Sequence, residues 1–386
     1  MIASFVHDHY FVYSDKDKLY YDGSGGVFNY KLWDRYLSIF DKLIVVGRSA
    51  NKLPNKLIVS SHLNVSFQLN GDLKNGLDRF IKYGRIKNKL EKTLLNIDFA
   101  IIRLPSSLGY IAIQICKKYN IPYVIEVVAC PWDAYANYGS RLANLIAPVE
   151  YLRLRNATLS SKYVVYVTKH FLQKRYPTRG ESVAISNAMI YSSIDEHIAK
   201  EFYEKQYEVF RIGMIGSFHV KFKGHIEAIK AVDILVKKGI ENIELSLVGT
   251  GDSTWVVEII KEFNLEKYIK VLGVLEAGEK GIYPYLDKLH LYIHPSRQEG
   301  LPRVVIEALS RGKLVLGSSV AGIPELIDES FTHKPGDYKK LSTHIEKIIN
   351  DESKWLKIIN SNIRMSHQYH ENVLQTRRVN FLNKII

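Results

Sequence analysis

Short apolar runs alternate with longer segments of helical periodicity along almost the whole chain, and this alternation leaves few folds open. In the first half "KLIVVG" (42–47), "FAIIRL" (99–104), "PYVIEVVA" (122–129), "YVVYVT" (163–168) and "SVAIS" (182–186) read as buried strands. In the second half "FRIGMIG" (210–216), "IELSLVG" (243–249), "IKVLG" (269–273), "LYIHPS" (291–296) and "LVLGSS" (314–319) repeat the scheme more regularly. Helical stretches such as "SLGYIAIQICKKYN" (107–120) and "GHIEAIKAVDILVKKG" (224–239) separate them, the latter closing on a glycine. Apolar strands that alternate with helices pair in parallel, with helices covering the sheet. A chain of 386 residues is long enough for two such cores. The polar, charged stretch "DEHIAKEFYEKQYEV" (195–209) stands between the halves. The expected fold is α/β, with Rossmann-like units at 1–190 and 191–365 facing a cleft at the carboxyl ends of their strands. The terminal helical stretch, about 366–386, is expected to pack back on the first unit.

Charge divides unequally between the halves. Residues 1–190 hold 26 Lys and Arg against 14 Asp and Glu, whereas residues 191–386 hold 27 against 26. The excess concentrates in "RFIKYGRIKNKLEK" (79–92) and "YLRLRN" (151–156). Such asymmetry suits an acidic partner, either an anionic lipid surface or a phosphorylated substrate. Nucleic acid is not expected, because no helix-turn-helix, zinc-finger or RNP-like stretch accompanies the charge. No apolar run approaches the ~18 residues of a membrane span. His7, Asp8 and His9 interrupt the amino-terminal stretch before a secretory core could form. Cys116 and Cys130 offer neither a disulfide framework nor zinc spacing, and Cys130 has no histidine nearby on the chain to activate a thiolate. A cytoplasmic location follows as the expectation.

Four glycine-bearing loops follow strands of the second half and would share one edge of its sheet. In "GSFHVKFKGH" (216–225), Lys223 precedes a glycine-led helix start, where its charge adds to the helix dipole and suits a phosphate. "VGTGDST" (248–254), with Gly249 and Gly251, is a partial dinucleotide fingerprint that has Thr254 in the third glycine's place. It reads equally well as a tight turn capped by Asp252 or Ser253. In "HPSRQEGLPRVVIEALSRG" (294–312), Gly300 and Pro302 flank Leu301, so the backbone can approach a ligand and then enter a helix through a proline. Free N–H groups at that start could receive a diphosphate. Glu299 in the loop and Glu307 inside the helix would repel phosphate if they faced it, so both fit better as acceptors for sugar hydroxyls. "SSVAGIPEL" (318–326) brings Glu325 close to a fourth helix start. An oxidoreductase reading of "GTGDST" lacks the acid expected about 20 residues on at the next strand end, since "IKVLGV" holds none.

These residues resemble the family-four retaining glycosyltransferases of GT-B architecture, which carry a glutamate–seven residues–glutamate motif. Pro295, Ser296, Glu299, Gly300, Pro302, Glu307, Ala308 and Gly312 match the motif's frame, with Lys313 where proline is usual. "VAGIPEL" is similar to the family's "GGxxE" element with Ala321 for the first glycine, "LVGTGD" to its "VGxGP" turn and "KFKGH" to its lysine–glycine element. The likeness covers residues 160–330 well and the first 150 only in outline. It implies that Glu299 holds the donor sugar, Glu307 the ribose, and the turn with Gly300, Leu301 and Pro302 the diphosphate. Lys223 would stabilise the departing diphosphate. The arginine usual after the first loop's glycine is Ser217 here, and Arg303 could supply part of that charge. The first-domain histidine that often contacts the sugar is missing from "EVVACPWDAY", where Val128 or Ala129 stands instead. Asp133 is the nearest polar candidate for acceptor contact. "GSGG" (23–26), with Gly25 and Gly26, is similar to the glycine loop that meets donor phosphate or acceptor.

The resemblance implies hexosyl transfer from a nucleotide-diphosphate sugar, with UDP favoured over GDP, and the basic first domain suggests a lipid-linked or oligosaccharide acceptor, as in capsule or O-antigen synthesis. The enzyme would work at the inner face of the cytoplasmic membrane. No cofactor or metal is expected, and the Asp15–Asp17 pair is taken as a coincidental Asp-x-Asp in a polar stretch with no apolar strand before it. The competing class is a nucleotide-sugar-binding scaffold that lost activity with the arginine and histidine.

Overall fold

A computed structural model of the chain describes residues 1–23, 28–50, 57–71, 82–136 and 141–386. The strands of its first sheet are β1 (Ile2–Ser14), β2 (Leu19–Asp22), β3 (Lys42–Ser49), β4 (Val65–Asn70), β5 (Phe99–Leu104), β6 (Tyr123–Val127), β7 (Tyr163–Tyr166) and β8 (Glu181–Ala184). They run in the order β4-β3-β1-β5-β6-β7-β8, all parallel, with β2 paired antiparallel to β1. The second sheet comprises β9 (Phe210–Ile215), β10 (Ile243–Val248), β11 (Ile269–Gly273), β12 (Leu291–His294), β13 (Leu314–Ser318) and β14 (Thr332–His333). Its order, β11-β10-β9-β12-β13-β14, is parallel throughout. Two parallel-sheet α/β domains result. In both the strand order reverses beside the first strand, and the crevice at such a switch point is where ligands of doubly wound sheets bind.

Burial explains why the strands read as apolar runs. Every residue of β5 is buried, because helices cover both faces of the sheet. One face packs Leu90, Ile111, Ile115 and Leu154 from three helices against Val6, Ile102 and Ile125. The other packs Trp33 and Tyr36 against Phe5 and Ile101. The second domain buries Ile229, Val232 and Leu235 of helix His225–Lys237 against Ile212, Leu245 and Leu247.

Three strands of the first sheet lie outside the apolar runs read from sequence. The central strand β1 has its apolar pattern broken by His7, Asp8 and His9 near a register shift between Val6 and Tyr10. Edge strand β4 alternates apolar and polar residues. The hairpin β1–β2 also corrects the reading of Asp15–Asp17. A strand does precede them, and they form its turn, with Asp15 paired to Lys18 and Asp17 accepting from the backbone of Leu19.

The chain crosses between domains twice. Helix Trp355–Ser366 packs on the second domain through Trp355, Ile359 and Ile363. Helix Glu371–Leu382 then inserts Leu374, Phe381 and Leu382 into the core of the first. At the crossing the two passes lie side by side: Ile190 N–H donates to Tyr369 O (3.1 Å) and Glu371 N–H to Ile190 O (3.0 Å). No helix among the described residues is long and apolar enough to cross a membrane.

Candidate active site

The loops at the carboxyl edge of the second sheet interlock through glycine. Gly224, with φ of 90°, ends the short turn Lys221–Lys223 and starts the helix after it. A Cβ there would stand 2.3 Å from Pro295 O, so only glycine allows the β9 loop to lie on the β12 loop. Arg297 N–H and Ser296 Oγ both donate to Phe222 O, at 2.7 and 3.2 Å, and fix that contact. Gly249 solves the same problem between the β9 and β10 loops: a Cβ would sit 1.9 Å from Gly216 O. Lys223 and Glu299, 76 residues apart in sequence, are thereby brought together.

Their geometry is that of a charged network. Lys223 Nζ donates to Glu299 Oε1 at 2.7 Å. His294 Nε2 stands 2.9 Å from the same oxygen, and Tyr292 OH stands 3.0 Å from His294 Nδ1. Burial by itself would raise the Glu299 carboxyl, but the charges and hydrogen bonds of His294 and Lys223 outweigh it and hold it down to about 2. Glu299 is therefore a carboxylate that only accepts, which makes His294 Nε2 the donor of their bond. The sequence reading gave His294 no role. Its signal was position, as the last residue of a strand directly before the glutamate loop.

A cavity of about 290 Å³ opens over this network. Gly216, Ser217, Lys223, Gly249, His294, Glu299, Pro302 and Arg303 line it, with Val248, Val274, Leu275 and Ile282 as its apolar wall. Five sequence candidates, Ser217, Lys223, Gly249, Pro302 and Arg303, thus meet Glu299 there. Ser217 is turned to its neighbour: its hydroxyl donates to Thr250 O at 3.2 Å. Helix Arg303–Ser310 begins behind Pro302 with no side chain capping it, so its first N–H groups suit an anion.

Other candidates lie outside the cavity lining. Glu307 is buried, and Arg303 Nε donates to it at 3.0 Å. Burial raises its carboxyl, and Arg303 opposes that rise. Gly251, with φ of 108°, turns the β10 loop beneath His219. Gly300 and Leu301 face the first domain instead. A Cβ on Gly300 would lie 3.2 Å from Val128 O, and Leu301 lines an interdomain cleft of about 660 Å³ with Arg303, Arg35 and Arg103. Asp133 pairs with Arg175 at 3.0 Å. Gly25 and Gly26 lie outside the described residues. Among the described residues no group of three His, Cys, Asp or Glu side chains gathers as a metal site would require.

The fourth loop joins the domains. The Glu325 carboxylate accepts from the backbone N–H groups of Lys169 (2.6 Å), His170 (3.0 Å) and Phe171 (2.7 Å). It caps a helix of the other domain, Phe171–Arg175, whose own N-cap residue makes no side-chain cap.

Comparison with known proteins places this arrangement. Residues 209–351 match the sequence family described as glycosyl transferases group 1. Protein CapJ of Staphylococcus aureus is 34% identical over 380 residues, covering 97% of this chain and 89% of CapJ. The chain belongs to the group 1 glycosyltransferases. A capsular polysaccharide biosynthesis glycosyltransferase, CapM of S. aureus, is 27% identical over 164 residues, 42% of each chain. Among solved structures, Anabaena HepE in complex with UDP-glucose superposes with a TM-score of 0.69 over the whole of both chains at 16% identity. The two-domain architecture is the GT-B fold of such glycosyltransferases, and the matched segment contains all four loops described above.

Proposed function

We propose that this glycosyltransferase moves a hexosyl unit, with retention, from a nucleotide-diphosphate sugar to a hydroxyl of a lipid-linked glycan in cell-surface polysaccharide synthesis. The observation that carries the reading is the Lys223–Glu299–His294 network at the floor of the second domain's cavity. Lys223 and Glu299 satisfy each other. An arriving diphosphate competes for Lys223, and the carboxylate it leaves accepts from sugar hydroxyls. His294 keeps Glu299 in place during that exchange of partners. The uncapped start of helix Arg303–Ser310 and the Arg303 guanidinium add positive potential where the leaving diphosphate gains charge. Glu299, held ionised, orients the sugar and gives no proton.

The donor sits on the second domain, the acceptor on the first. Retention then requires the acceptor hydroxyl to approach the face the diphosphate leaves, so that Lys223 serves both. UDP-sugars are the favoured donors; HepE, of the same fold, was solved with UDP-glucose. Diphosphate charge is met by side chains and helix N-termini, and no metal enters the scheme. The scaffold alternative draws on Ser217, which binds Thr250 where the resembling family places an arginine. A panel of nucleotide sugars decides between them. One donor raising the melting temperature and undergoing slow hydrolysis supports the enzyme; binding without turnover, even with cell-wall lipid extracts present, supports the scaffold.

A further inference from the structure

Helix Arg141–Leu159 follows the cleft-side segment Pro131–Ala136 and runs back along the outside of the first domain. Its inner face is ordinary: Ala143, Ala147 and Leu154 are buried. Its outer face is not. Leu142, Leu145, Val149 and Leu152 are 65%, 73%, 61% and 54% exposed, and their spacing of three, four and three residues aligns them in one stripe. A helix with apolar residues on two faces has a second surface to bury, and a surface position supplies only one.

The neighbours of the stripe say what covers it. Arg153, on the same helix, lies over the Tyr110 ring (4.0 Å) of helix Ser107–Tyr119, and Lys117 of that helix reaches Ser160 at 2.7 Å. The next helix in the layer, Tyr83–Leu94, exposes Arg85, Lys89 and Lys92. The one acid of helix Arg141–Leu159, Glu150, is paired with Arg153 (3.2 Å). A second copy of the chain would bring the same basic layer against itself. An anionic lipid surface answers both the leucines and the bases.

We infer that helix Arg141–Leu159 lies in the headgroup region of an anionic bilayer, its leucine stripe inserted shallowly and the bases of the adjoining helices on lipid phosphates. The inference goes beyond the proposed activity and rests on it only for the acceptor's location. Trp132, exposed in the segment Pro131–Ala136 that follows β6, stands 6.0 Å from the Tyr151 ring of the same helix as the stripe, so the bilayer would border the side where a lipid-linked acceptor enters.

The test is cosedimentation of the full chain with phosphatidylcholine vesicles and with phosphatidylcholine–phosphatidylglycerol vesicles, at low and high salt. Wild type is expected on the anionic vesicles, with part of the binding surviving high salt. The variant L142Q/L145Q/V149Q/L152Q should lose that surviving part and bind about tenfold more weakly or worse at low salt, with its far-UV spectrum unchanged. Arg85→Gln with Lys89→Gln and Lys92→Gln should remove chiefly the salt-sensitive part. Leucine-stripe variants that bind like wild type overturn the inference. So does equal wild-type binding to neutral vesicles, or a wild-type dimer in sedimentation velocity that the stripe variant breaks. Donor hydrolysis, measured alongside, should be the same in every variant; its absence in wild type would count against the proposed activity and leave the vesicle result standing.

Discussion

The two domains handle charge in opposite ways. Residues 191–386 carry 27 bases against 26 acids, and the second domain pairs Lys223 with Glu299 in its cavity, Arg303 with Glu307, and Arg297 with Glu227. The first carries 26 against 14 and leaves much of the excess on its outer helices. Even inside, bases outnumber acids there: Arg103 shares Glu126 with Tyr36, while the buried Nε atoms of Arg35 and Arg378 have no partner among the described residues. Burial and the nearby Arg378 charge push the Arg35 guanidinium down to about 10. Internal pairs can be exchanged for substrate one at a time; surplus charge acts at a distance and answers to salt.

Removing the central pair should break the comparison most sharply. Glu299→Ala is expected to lower transfer by roughly 10²–10³-fold or more, the scale of losing one preorganised polar group at a reacting centre, with the far-UV spectrum preserved because Glu299 sits in a loop. Turnover near the wild-type rate would remove Glu299 from the site.

The second domain's own exception comes next. Lys313 is buried, over the Phe202 ring at 4.1 Å, and its Nζ reaches Asp287 O at 3.2 Å. Burial pushes its amine down to about 7, with Asp287 opposing and Arg311 adding to the shift. The unfolded chain keeps this proton up to the ordinary 10.5 and the folded chain releases it near 7, so stability should rise with pH between those values, by at most about 1.4 kcal/mol per unit. Lys313→Met should flatten that part of the curve and be at least as stable at neutral pH. Denaturant titrations across the window read both; parallel curves for the two proteins would refute the assignment.

Glu325 is where the domains meet, and Glu325→Ala should cost about 1 kcal/mol, as lost helix caps do, with a larger loss of transfer than of donor hydrolysis. An unchanged melting temperature would show that the interdomain cap contributes nothing. Last, chelation by EDTA should leave transfer unchanged. Loss on chelation, restored by Mn²⁺ or Mg²⁺, would show that diphosphate charge is not met by Lys223, Arg303 and the helix start alone.

Legibility in the sequence followed the same division. Both sheets were readable wherever strands are buried on two faces, and the second-domain loops were readable because glycine and acid recur directly after such strands. β1 was missed because His7, Asp8 and His9 interrupt its apolar run midway, and β4 because an edge strand alternates. His294 was passed over because its partner, Glu299, reveals its need for a donor only when burial is known. The reach of Glu325 has no side-chain signature at all, since its three partners are backbone N–H groups more than 150 residues away.

The return of the last helix to the first domain sets an order on synthesis. Domains of a growing chain generally fold as they emerge, at about 5–20 residues per second. Here the first to emerge lacks Leu374, Phe381 and Leu382, three members of its own core, until the chain beyond the second domain has been made. Tyr163, whose ring meets that of Phe381 edge-on at 6.3 Å, lacks this partner while the whole second domain is made. The amino-terminal half is thus born first and finished last, and a chain cut short after residue 370 would leave it with an open apolar floor for chaperones and proteases to find.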